Sequence, residues 1–128
     1  MFDGLAACAT ELAAKEETAM QFGALPFTIT DWRCVPTSEH AGTTGVALWR
    51  TVQAGTVRVR LVEYSPGYAA DHWCTKGHVL LVLEGELETE LADGRTIRLT
   101  RGMSYQVADD TMAHRSRTEG GAKLFIVD

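Results

Sequence analysis

HVLLVLEGELETELADGRTIRL, residues 78–99, carries two apolar patterns in succession. His78–Leu83 is a nearly continuous apolar run, the pattern of a strand covered on both faces. Glu86–Ala92 alternates instead. Leu87, Thr89 and Leu91 fall on one side and Glu86, Glu88 and Glu90 on the other, so a half-buried strand would turn its acidic side to water. Asp93-Gly94 is then a strong hairpin signal, because both positions can take positive φ. Thr96–Thr100 returns with Ile97 and Leu99 inward. Period two with a tight reversal specifies antiparallel β-structure.

The same punctuation runs outward from this hairpin. Leu25–Arg33 alternates, with Phe27, Ile29 and Asp31 against Thr28, Thr30 and Trp32. Pro36–Gly45 reads as a polar loop containing His40. Gly45–Val52 and Thr56–Tyr64 read as strands joined at Gln53-Ala54-Gly55, and Ser65-Pro66-Gly67 as a turn. Ala70–Cys74, Met103–Val107, His114–Thr118 and Lys123–Val127 read as further strands. Short strands with frequent turns point to an all-β sandwich or barrel. Residues 2–20 differ: Ala, Glu and Lys dominate, and Leu5, Cys8, Ala9, Leu12 and Ala13 recur at helical spacing. The expected organisation is a helical extension over 1–24 and one β domain over 25–128.

Composition narrows the function classes. The chain has 128 residues and a net charge of −5, enough for one domain with a hydrophobic core and the wrong sign for a nucleic-acid footprint. No apolar run approaches the roughly 20 residues of a membrane-spanning helix. The start lacks the basic and apolar blocks of a secretion signal. Three irregularly spaced cysteines, Cys8, Cys34 and Cys74, argue against a disulfide framework and for a reducing compartment, so the expectation is cytoplasmic.

Just before the hairpin, GYAADHWCTKGH (residues 67–78) packs two histidines and a cysteine into seven residues. On a strand, His72 and Cys74 share a face with Cα atoms about 6.5–7 Å apart. Bonds of about 2.0–2.3 Å let one metal ion reach both. His78 would lie about 13 Å beyond Cys74 on a straight strand, so its membership needs a bend, which Gly77 permits. His114 joins as a distant fourth. Imidazole and thiolate make a soft donor set, which favours one divalent transition metal ion per chain: Zn or Fe first, then Ni, Cu or Mn. Asp71 and Trp73 should face away from this set, Ser116 and Thr118 share the face of His114, and Arg115 and Arg117 should point outward. Arg58 and Arg60 share one face of their strand. That face is assigned to solvent here, although a pocket-facing pair would suit a carboxylate or phosphate. Packing is the expected role of Tyr64 and Tyr105.

These residues resemble the first motif of the cupin superfamily, G-x5-H-x-H-x3,4-E-x6-G. His72 stands at the first ligand position, Cys74 at the second, His78 in place of the usual Glu, and Gly85 after the expected six residues. Gly67 is one residue short of the usual interval. Gly102 and His114 resemble the looser second motif. More narrowly, ADHWCTKGH, the EGELETEL hairpin, GMSYQV and the closing GAKLFIVD resemble the DHCW-motif cupins. The resemblance implies a jelly-roll β-barrel with the metal near one end of its interior, on His72, Cys74, His78 and His114. It also implies frequent homodimers. Two functions follow as expectations: a mononuclear metal-dependent enzyme on a small polar ligand, or a non-catalytic sensing or structural module. An enzyme needs an open coordination position beside a cavity, whereas a structural site closes with four protein ligands.

Overall fold

The computed structural model describes residues 25–128. The helix expected over 1–24 lies outside the described residues. Eight strands follow a 3-10 turn at Trp32–Cys34: β1 Thr37–Ala41, β2 Val46–Ala54, β3 Val57–Tyr64, β4 His78–Leu91, β5 Thr96–Thr100, β6 Ser104–Val107, β7 His114–Arg117 and β8 Ala122–Val127. All named pairings are antiparallel. One sheet runs β1-β2-β3-β8-β4 with β6 on the far side of β4, and a second holds β5 and β7 on either side of the later half of β4. The result is a jelly-roll barrel.

The two sheets share β4, and the reason lies at Gly85. The sequence pattern gives two strands, 78–83 and 86–92; the chain makes one strand of 14 residues. Its register slips between Val82 and Glu84, and Gly85 takes φ +81°. A Cβ on Gly85 would overlap the carbonyl oxygen of Gly121, the residue just before β8. The slip bends β4 out of one sheet and into the other. This is also why the apolar pattern changes at that point. Leu80 and Val82 before the bend and Leu87 and Thr89 after it all reach the same interior. There they meet Val62, Leu99, Leu124 and Ile126. Each such fully buried aliphatic side chain contributes about 1.5–3 kcal/mol.

The reversal after β4 differs in detail from expectation. Gly94 N–H donates to the Leu91 carbonyl at 2.9 Å and Leu91 N–H to the Arg95 carbonyl at 2.8 Å. Only Gly94 takes positive φ, at +97°, so the loop is a turn closed by a glycine bulge and not a two-residue reversal. Two other expectations are corrected. Residues 25–31 are irregular, with Phe27 and Ile29 93% and 86% exposed, because no strand pairs with them. Thr37–Ala41, assigned to a loop, forms an edge strand on β2. Polar residues are at home on such an edge, and His40 stacks on Trp49 with ring centroids 3.8 Å apart.

On the second sheet the outward faces pair by charge. Glu86 meets Arg98, Glu88 meets Arg117 at 2.8 Å and Glu90 meets Arg115 at 3.0 Å. Exposed pairs of this kind each add about 0.2–1 kcal/mol. Their larger effect here is on register, since they fix His114, Ser116 and Thr118 inward, as their alternation predicts.

Candidate metal centre

His114 opens β7 at the end of the 108–113 loop and is 3% exposed. Its Nδ1–H donates to the Met112 carbonyl at 2.9 Å. That bond fixes the tautomer and leaves Nε2 with a free lone pair. Nε2 is buried and has no partner among the described residues.

Cys74 reaches His114 through the backbone. Cys74 N–H donates to the His114 carbonyl at 2.7 Å, and His114 N–H returns to the Cys74 carbonyl at 3.0 Å. The bend between Cys74 and His78 depends on Gly77, though not through its φ, which stays negative. A Cβ at Gly77 would come within 2.6 Å of the Asp109 nitrogen, so the chain there passes too close to 107–109 for any side chain. Gly77 N–H donates to Asp109 Oδ1 at 2.6 Å and Asp110 N–H to the Thr75 carbonyl at 2.8 Å, holding the two loops together.

His78 begins β4. Its Nε2 lies 3.0 Å from the Tyr105 hydroxyl, and its Nδ1 is buried without a partner. With the proton on Nε2, Nδ1 keeps its lone pair. Burial, then the neighbouring His114, pushes the His78 pKa down to about 4, so the ring stays neutral, which is the ligating form. Burial also raises the Tyr105 phenol, keeping it a hydrogen-bonding group near neutral pH.

Cys74, His78 and His114 each place a ligand atom within 4.8 Å of the others, close to the span of two metal–ligand bonds of about 2.0–2.3 Å. Two orphaned buried nitrogens and a thiol fit a transition metal, and the group could hold one.

The structure does not bring His72 into this group. Its side chain is 78% exposed and bonds Asp71 at 2.7 Å. The register explains why. Cys74 bridges His114, so a regular strand would set His72 opposite Ser116. Instead Ala69 bridges Arg117 and Ala70 N–H takes the Ser116 carbonyl. Two extra residues therefore bulge out, and Asp71 and His72 are carried into solvent. Trp73 is 39% exposed, with the Arg115 guanidinium 4.3 Å from its ring centroid.

Beside His114 and Tyr105 lies a cavity of about 240 Å³, walled by Leu91, Ile97, Val107 and Met112. Against expectation, the Arg58–Arg60 face also turns inward: Arg60 is 7% exposed. Both arginines hold Asp128, whose partnership with β3 was not legible, since nothing in its local sequence marks it. Burial pushes the Asp128 carboxyl up, but the Arg58 hydrogen bonds and the two guanidinium charges outweigh it, and its pKa lies below the ordinary value.

Fold and donor group together define a jelly-roll barrel with a candidate metal site at one end. Solved structures share this architecture. Ectoine synthase from P. lautus superposes with a TM-score of 0.66 and 16% identity over 79% of this chain and 76% of that one. Fe(II)-HppE with the alternative substrate (S)-1-HPP gives 0.66 and 18% over 80% of this chain and 60% of that one. A cupin-2 domain containing protein from Shewanella frigidimarina gives 0.52 and 20% over 62% and 78%. No protein-family model matches the chain, and no curated protein matches its sequence. These likenesses show that the chain has the cupin fold.

Proposed function

We propose that this is a mononuclear metal-dependent cupin enzyme of the DHCW type, acting on a small polar substrate, with Cys74, His78 and His114 as the metal ligands. The observation that carries this is the pair of buried, unpartnered ring nitrogens in one group with a thiol. Three protein donors leave coordination positions open, and one of the three, His114, lines a cavity, which is the enzyme-like combination. His72 is not needed for the set. A bound Zn or Fe ion would supply Lewis-acid polarisation of a substrate or activation of water or oxygen. The chain's own residues do the rest. Met112 and Tyr105 hold the two imidazoles in their ligating tautomers, and Leu91, Ile97, Val107 and Met112 give the cavity beside His114 an apolar wall.

Metal analysis of purified protein tests this. Close to one transition metal per chain is expected, and Cys74→Ser should lower it far more than Cys34→Ser, since Cys34 is an exposed free thiol. Protein without metal after gentle purification, or equal behaviour of the two variants, would sink the proposal.

The proposal takes the chain as a cytoplasmic homodimer. Free Cys34 and Cys74 suit a reducing compartment. Among the described residues no helix is long and apolar enough to cross a membrane. Dimerisation is supported by the outer face of the large sheet, where Val79 is 46% and Leu83 37% exposed. Phe27 and Ile29 project from the segment whose Trp32 packs edge-on against Phe125 of that sheet. A patch and a protruding apolar arm on one chain can be satisfied mutually about a two-fold axis. Sedimentation should give twice the chain mass of 14.0 kDa, with Leu83→Arg reverting to the single mass. A monomeric parent protein at the same concentration would contradict it.

A further inference from the structure

The large sheet turns a charged face into the barrel close to the candidate metal group. Arg58 grips Asp128 with two hydrogen bonds, Nε to Oδ1 and Nη2 to Oδ2, both 2.8 Å. Arg60 adds a third, Nη2 to Oδ2 at 3.0 Å. The Asp128 side chain is 2% exposed. The Arg60 guanidinium sits 4.3 Å from the centroid of the Trp49 ring, which holds its plane. Its Nε–H is buried and has no partner among the described residues.

Register aims this cluster at the metal group. Val127 pairs with Val59 on one side and with Val79 on the other. One step along, Arg58, Asp128 and His78 stand side by side on three neighbouring strands and share the inward face. Strands about 4.8 Å apart put the backbones of Arg58 and His78 about 10 Å apart. The two guanidinium groups share the single Asp128 side-chain carboxylate. A buried polar N–H is costly unless it is paired, and the Arg60 Nε–H stands ready for an acceptor.

We propose that Arg58 and Arg60 form the anion-binding end of this site, and that its ligand is a small carboxylic acid with a hydroxyl, amine or thiol group placed to reach Cys74, His78 and His114. A carboxylate matches the flat donor fork of an arginine, and Arg60 offers an unused Nε–H. This rests on the metal-site proposal for the second half of the ligand only.

Glycolate serves as the probe and glycolamide as its uncharged counterpart. Calorimetry is run on metal-free and Co(II)-loaded protein. Glycolate should bind the Co(II) form saturably and shift its visible absorption, the metal-free form more weakly, and glycolamide neither. Arg58→Gln, which keeps a hydrogen-bonding group at a partly exposed position, should weaken glycolate at least tenfold in both forms with Co(II) uptake unchanged. Arg60→Lys keeps the charge and loses the fork, and should weaken it in the same direction. Absence of Co(II) uptake would count against the metal site alone. Absence of Arg58-dependent glycolate binding in either form overturns the anion site. Inorganic phosphate binding in place of glycolate overturns its assignment to carboxylates.

Discussion

His114→Ala should abolish or strongly weaken the proposed metal binding while the barrel stays folded. His114 makes two separable contributions. Its backbone N–H and carbonyl bridge Cys74, and an alanine keeps both bonds. Its ring supplies a buried lone pair on Nε2, oriented by the Met112 carbonyl, and an alanine loses it. Losing even an outer partner of a ligand costs about 10–100-fold in metal affinity, and losing one ligand of three should cost more than that. Titration with Zn or Fe(II) should therefore show affinity reduced by more than about 100-fold, with circular dichroism still reporting β-structure. Unchanged metal affinity would remove His114 from the site.

Gly85→Ala strikes the fold itself. Gly85 sits at φ +81° where β4 crosses between sheets, and a Cβ there meets the backbone of Gly121, which cannot swing aside as a side chain can. Left-handed backbone costs an L-residue about 1–2 kcal/mol, and forced overpacking about 1–3 kcal/mol more. The loss expected in denaturant unfolding is about 2–5 kcal/mol. Gly94→Ala is the internal comparison. Gly94 has φ +97° but open space around it, so only the backbone strain applies. Equal losses for the two variants would show that the approach of Gly85 to Gly121 does not hold β4 in place.

Much of the barrel is legible from period-two alternation. Leu87, Thr89, Ile97, Leu99, His114 and Ser116 all take the side their neighbours predict, because a strand with charged partners outside has only one face to bury. The alternation misleads on β3. Val57, Val59 and Leu61 look like the core face and Arg58 and Arg60 like the wet one. The assignment reverses because this sheet is apolar on its outer side too, and the interior at this end is built for charge. Arg60 could have been suspected from Val62 and Tyr64, which share its parity. Asp128 gave no signal, since only the pairing of β8 with β3 brings it to the arginines. Cys74, His78 and His114 were legible as a donor cluster. The position of His72 was not, because strand parity holds only while pairing stays regular, and the bulge at Asp71 and His72 depends on how residues 69–74 lie along β7.

X-ray absorption at the edge of the metal carried by the purified protein tests the centre most directly. One sulfur at about 2.3 Å and imidazole nitrogens at about 2.0–2.1 Å are expected, with the sulfur lost in Cys74→Ser. A metal coordinated only by oxygen and nitrogen in the unaltered protein would contradict the site on Cys74, His78 and His114.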